Sequence, residues 1–166
     1  MISLKIGSDG LPNIEGHSSM TIHSAREEDY DEITQVWEDS VRATHDFVSQ
    51  EDIEQFRPLV RNELLPQAEV VYTRDAEGRI SGFAGVVGDK IEMIFIAPRH
   101  FGKKLGKLLF WHAVCEMGAT RLDVNESNEK AVNFYLRQGC TVIGRSPLDS
   151  MGKPYPILHL EWKKSE

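Results

Sequence analysis

The chain has 166 residues, 40% hydrophobic and 27% charged, which suits one globular domain large enough to bury a core. No run approaches the ~18 apolar residues of a membrane span. The first nineteen residues lack the basic start and continuous apolar core of a secretory signal, and Cys115 and Cys140 sit in no metal-binding spacing, as expected of reduced thiols in a cytoplasmic protein. The net charge of −7 argues against the broad basic face of a nucleic-acid binder, but it is uneven: Met20 to Glu54 carries eleven acids against Arg26 and Arg42, while Arg99, Lys103, Lys104 and Lys107 cluster with no acid among them.

Residues 1–19 read as a tail or an added edge strand, and 20–166 as a single domain. Thr21–Ser24 is strand-like, and Ser24 with Glu27 has the spacing of a capping box. Tyr30, Ile33, Val36, Trp37 and Val41 recur at helical spacing, predicting a first helix over 27–43. Ser49 is placed to cap a second helix through Leu65, kinked at Pro58 and ended by Pro66. Three strands follow as a meander: 69–74, 80–87 and 91–97, joined by turns at Asp75–Gly78 and Gly88–Asp89. Gly82 and Gly85 inside the second of these imply a bulge or close approach of a neighbour.

The third strand stops at Pro98 and feeds a Gly- and Lys-rich loop that opens into the apolar run Leu105–Met117. Helix-start N–H groups, the helix dipole and local lysines together favour an anion; a solvated helix start is the plainer alternative. A nucleotide P-loop does not fit, because Gly102 and Gly106 enclose three residues rather than four and Leu108 stands where Ser/Thr would hold magnesium. Beyond Gly118, a short strand 121–124 leads into a helix 125–138 with Ala131, Phe134, Tyr135 and Leu136 inward. Strands 141–145 and 155–162 close the chain. The order β-α-α-β-β-β-α-β-α-β-β implies an α+β fold, a mixed sheet with helices on both faces.

These residues resemble the GCN5-related N-acetyltransferases over about 20–163. Phe101-Gly102-Lys103-Lys104-Leu105-Gly106 is similar in part to that family's acyl-CoA signature Q/R-x-x-G-x-G/A: Gly106 fits, Phe101 replaces Arg/Gln and Lys104 replaces the first glycine. Asn128-x-x-Ala131-x-x-Phe134-Tyr135-x-x-x-Gly139 resembles the second signature more fully, and in the right place. Ala43–Phe47 and Gly152–Pro156 look like the YjaB-type branch of small bacterial members.

The resemblance implies an N-acetyltransferase that moves an acetyl group from acetyl-CoA to a primary amine of a small molecule, peptide or protein lysine by direct attack. The alternative is a non-catalytic acyl-CoA sensor of the same fold. It implies coenzyme contacts from Phe95, Ile96, Phe101, Gly102, Lys103, Lys104, Leu105, Gly106, Lys107, Asn128, Ala131 and Phe134. A backbone N–H near Phe95–Ile96 would polarise the thioester carbonyl. Tyr135 would protonate the leaving thiolate, a transfer we take as mildly downhill because the tyrosine pKa (about 10) lies near a thiol's (about 8.5). Glu92, expected half-buried with a raised pKa and its side chain opposite Ile91, Met93 and Phe95, would take the amine's proton, directly or through water; a salt-bridged surface carboxylate is the other reading. His45, Asp46, Phe47, Asn125 and Tyr155 would line the acceptor pocket, with His45 and Asp46 also rivals as base or anchor. The acidic 20–54 region favours a cationic acceptor. No metal, nucleic acid or membrane partner is expected, and a homodimer is among the possible assemblies.

Overall fold

A computed structural model describes residues 5–6, 12–13, 21–44 and 48–164. Strands β1 (Lys5–Ile6) and β2 (Pro12–Asn13) pair in a ladder of their own. The main sheet has seven strands: β3 (Ile22–Ser24), β4 (Glu69–Arg74), β5 (Ile80–Val87), β6 (Lys90–Ile96), β7 (Arg121–Asn125), β8 (Thr141–Ser146) and β9 (Ile157–Glu161). Their spatial order is β3-β4-β5-β6-β7-β9-β8. Every neighbouring pair is antiparallel except β6 with β7. That single parallel step is where the chain needs a helical crossover rather than a hairpin.

Two helical layers cover the sheet, as the element order implied. Helix α1 (Tyr30–Thr44) and helix α2 (Gln50–Leu59) bury Ile33, Trp37 and Ile53 against Val70, Tyr72, Phe83 and Met93. Helix α4 (Leu105–Glu116) and helix α5 (Glu129–Arg137) bury Phe110, Trp111 and Tyr135 against Ile91, Leu122, Val124 and Leu160. Phe110 and Leu109 are wholly buried, each stabilising the fold by about 1.5–3 kcal/mol.

Several local expectations shift. Ser24 lies in β3, and the helical entry starts two residues later: Arg26 N donates to Asp29 Oδ2 at 2.9 Å. Pro66 does not stop the second helix. After Pro58 the backbone widens into a π turn at Val60–Leu64 and then a last turn, α3 (Leu65–Gln67). In an α-helix, residues five apart point well away from each other; the wider π turn lets both Val60 and Leu65 face the core. Leu136, expected inward, is exposed. The helix expected from 125 begins at Glu129, leaving Asn125 on the strand and Asn128 as N-cap.

Both readings of the strand glycines occur. At Gly82 a Cβ would lie 2.7 Å from Ile96 Cδ1 and 3.2 Å from Leu109 Cδ1, so α4 packs there because no side chain intervenes. At Gly85 the β5–β6 register shifts.

Candidate active site

That register shift shapes the site. Gly85 pairs with Met93 but Val86 pairs with Ile91, leaving Glu92 as an extra residue on β6. The bulge breaks strict alternation: Met93 packs with the α1–α2 core, Ile91 with the α4–α5 core. Glu92 therefore does not oppose Met93 as period two predicted. It is exposed rather than half-buried, with its carboxylate 3.7 Å from Lys90 Nζ.

Glu92 also marks a vertex. β6 and β7 pair at Lys90 with Arg121 and Ile91 with Leu122, and no rungs join them beyond those two. Ala97 N donates to Ser81 O at 2.9 Å on the β5 side. Antiparallel alternation then gives Phe95 N–H to β5 as well, and turns the N–H groups of Ile94 and Ile96 toward the gap. Of the two residues expected to supply a carbonyl-polarising amide, Ile96 has its N–H free on that side.

The basic loop hangs from the end of β6. Asp75, in the β4–β5 turn, accepts His100 Nε2 (3.0 Å), Arg99 Nε (3.3 Å) and the N–H groups of Glu77 and Arg79 (3.0 Å each). Desolvation alone would raise its carboxyl, but these bonds outweigh it and hold the pKa well below the usual carboxylate range. Arg99 also donates to Ile80 O at 3.0 Å, so this cation braces the stem of the loop. Lys103, Lys104 and Lys107 have no ion-pair partner among the described residues.

The loop then makes a left-handed turn. Gly102 has φ +79° and Lys104, the N-cap of α4, has φ +62°. Lys104 thus holds, at a cost of about 1–2 kcal/mol, the conformation that the family's glycine adopts freely. The first helical bond runs from Leu108 N to Lys104 O at 3.2 Å, leaving the N–H groups of Leu105, Gly106 and Lys107 without helical acceptors. A Cβ on Gly106 would meet Phe134 Cζ at 3.9 Å and Ile96 Cγ1 at 4.0 Å, ordinary contacts. Packing within the chain does not demand glycine there. The bare Cα leaves room for a phosphate-bearing ligand to approach those amides, and the residues present fit one.

Helix α5 supplies the opposite wall. Asn128 Oδ1 accepts Ala131 N at 3.3 Å, and Phe134 reaches across to Gly106. Tyr135 is buried, its ring 5.8 Å from Phe110 and 5.1 Å from Phe134. Burial, then the neighbouring Cys140 thiol, pushes its hydroxyl above the ordinary tyrosine value. This corrects the expected proton transfer. Moving a proton from a group near 10 to the conjugate base of one near 8.5 is already uphill by about 1.5 units, and burial steepens it. A hydrogen bond from the Tyr135 hydroxyl suits this environment better than full proton donation.

Across the gap, Asn125 ends β7 with its Oδ1 buried and unpartnered among the described residues. Beside it, Glu126 N donates to Pro156 O at 2.9 Å and Ile157 pairs with Asn125. Tyr155, from the same segment, donates its hydroxyl to Asp52, whose other oxygen lies 2.8 Å from Lys153 Nζ. His45, Asp46 and Phe47 lie outside the described residues. Sequence reasoning missed Asp52, Asp75 and a chain on the open sheet face, in which Lys90 meets Asp123 (2.6 Å), Asp123 meets His159 Nδ1 (2.6 Å) and His159 Nε2 meets Ser146 Oγ (2.7 Å). His159 stands between Leu158 and Leu160 on its strand, and nothing local in the sequence names its partners.

Comparison with known proteins agrees with this geometry. Residues 25–140 match the model of the acetyltransferase (GNAT) family. The chain is 37% identical over 143 residues to the peptidyl-lysine N-acetyltransferase YjaB of Escherichia coli K12, covering 86% of this chain and 97% of that protein. The solution structure of apo YjaB from E. coli superposes with a TM-score of 0.77 at 36% identity, over 88% of this chain and 99% of that one. The PaiA N-acetyltransferase of Thermoplasma acidophilum, solved with coenzyme A, shares the fold at a TM-score of 0.67 and 21% identity, over 87% of this chain and 99% of that one. With the splayed strands, the glycine-opened helix start and the Asn128–Gly139 helix in their places, the chain belongs to the GNAT acetyltransferase family and is an acetyl-CoA-dependent N-acetyltransferase.

Proposed function

We propose that this enzyme acetylates the side-chain amine of lysine in peptides or proteins. The observation that carries the reading is the gap between β6 and β7, with the Ile96 N–H on one edge and the Asn125 Oδ1, unpartnered among the described residues, at the other. An open-edged cleft of this kind admits a lysine side chain from a larger chain. The identity with YjaB, a peptidyl-lysine N-acetyltransferase, supports the same acceptor class.

Bound acetyl-CoA supplies the acyl group. The Leu105–Lys107 amides, Gly102, Lys103 and Lys104 hold its phosphates, with Phe101 flanking the loop, while Ala131, Phe134 and Asn128 line its arm. The Ile96 N–H, beside Phe95, donates to the carbonyl oxygen as negative charge grows there. The Tyr135 hydroxyl donates to the sulfur as it leaves. Glu92, exposed at the vertex, accepts the ammonium proton through water, since a lysine ammonium near 10.4 cannot attack. Asn125 and Tyr155 wall the acceptor.

The test is turnover of acetyl-CoA with a set of lysine peptides and small amines, following free thiol and locating the acetyl group by mass spectrometry. Nε-acetyl-lysine is expected. Thiol release with small amines alone would overturn the peptide reading.

A further inference from the structure

We infer that Asp52 recognises positive charge on the acceptor, and that Lys153 occupies it in the resting enzyme as an internal stand-in. The inference rests on the lysine-peptide reading above. The Asp52 side chain, in the first turn of α2, is only 13% exposed, and both its oxygens are engaged by one short stretch: Lys153 Nζ at 2.8 Å and the Tyr155 hydroxyl. That stretch is anchored at the cleft, because the next residue, Pro156, accepts Glu126 N and Ile157 pairs with Asn125. Asp52 therefore stands one tyrosine side chain away from the acceptor wall.

Other acids of the same region are engaged elsewhere. Asp31 meets Arg61, Glu38 meets Arg42 and Arg57, and Asp29 and Glu32 meet Arg74. Among the described residues, Asp52 carries this region's negative charge to the Lys153–Tyr155 segment beside the cleft. The ammonium that fills it is exchangeable. The loop backbone is held by Asp149, which accepts Met151 N and Lys153 N at 2.9 Å each, and whose N–H donates to Lys153 O at 2.9 Å. The turn keeps its shape when the Lys153 side chain swings out, and that side chain is partly exposed.

The charge recognised is not the reacting nitrogen, which must be neutral to attack. Asp52, hydrogen-bonded by Lys153 and Tyr155, holds charge rather than taking a proton. The fitting ligand is a peptide with a second basic side chain beside the acetylated lysine. That side chain displaces Lys153.

Two peptides test this, identical except for arginine or glutamine next to the acceptor lysine. With the full chain, Lys153→Met should lower KM for the arginine peptide about fivefold, leaving KM for the glutamine peptide and for acetyl-CoA unchanged. Asp52→Asn should raise KM for the arginine peptide by a similar factor and abolish discrimination in both backgrounds. Equal effects on both peptides, or none from Lys153→Met, would make the contact a plain structural tie and overturn the inference. Calorimetric binding of the same peptides separates the two readings. If neither peptide is acetylated but the arginine peptide binds more tightly to Lys153→Met and loses that gain in Asp52→Asn, the lysine reading falls and the recognition stands. If binding shows no difference either, the recognition falls as well.

Discussion

His100 Nε2 meets Asp75 Oδ2 at 3.0 Å, tying the turn between β4 and β5 to the stem of the basic loop. Asp75 is 92% buried at its side chain and gathers two backbone N–H groups and Arg99 as well. Asp75→Ala should raise KM for acetyl-CoA about tenfold, with kcat and the acceptor KM within twofold, and should cost roughly 2 kcal/mol in urea unfolding. The acid limb of stability should change too. A depressed carboxyl contributes stability that is complete above its unfolded value of 3.8 and is lost as pH falls below it. The variant should show a shallower loss there than wild type.

Lys104 and Gly106 make opposite predictions for one loop. Lys104→Gly relieves the left-handed strain at φ +62° and should raise stability by about 0.5–1 kcal/mol, read as a higher Tm. It also removes a cation, so its acetyl-CoA KM should rise at low salt and converge on wild type at high salt. Gly106→Ala should leave Tm near wild type, because its Cβ makes only ordinary contacts, while acetyl-CoA binding by calorimetry weakens about tenfold or more.

Tyr135→Phe should lower kcat by about 10–100-fold and leave acetyl-CoA affinity unchanged, since the ring packing on Phe110 and Phe134 is retained. Unchanged turnover would remove Tyr135 from the chemistry.

Glu92→Gln should reduce kcat/KM most at the acid end of the profile, where more of the amine carries its proton. A parallel loss at every pH would assign Glu92 to holding Lys90 instead.

Cys140 sets an alkaline limit. Burial pushes its thiol from 9.0 up to about 11. A raised group contributes stability that is complete below its unfolded value and is lost as pH rises through the folded one. Stability should therefore fall by roughly 2–3 kcal/mol between pH 9 and 11, measured as urea midpoints. At pH 8, exposed Cys115 should alkylate in the native protein and buried Cys140 only after unfolding.

What could be read beforehand was whatever repeats locally. The turns at Gly78 and Gly88 and the helical period of α1 each need a few neighbouring residues, and the meander of three strands over 69–97 followed from its short connections. The side of β6 on which Glu92 lies was not legible, because a bulge belongs to a pair of strands and Gly85 marked its place without its register. Asp75 with His100 spans 25 positions and Asp52 with Tyr155 spans 103. No periodicity links residues that distant. Leu136 failed for a different reason: the inward stripe of α5 runs through Ala131, Phe134, Tyr135 and Gln138, and at 3.6 residues per turn Leu136 falls on the far side of it despite its apolar character.

The two-rung junction of β6 and β7 makes the sheet mechanically two plates, β3 to β6 and β7 to β9, sharing a narrow seam. On the proposed placement of acetyl-CoA, a ligand lodged in the gap would bridge the two plates. Coenzyme occupancy and the cohesion of the whole domain are then one equilibrium seen from two ends, so a simple melting curve becomes a gauge of how full the site is.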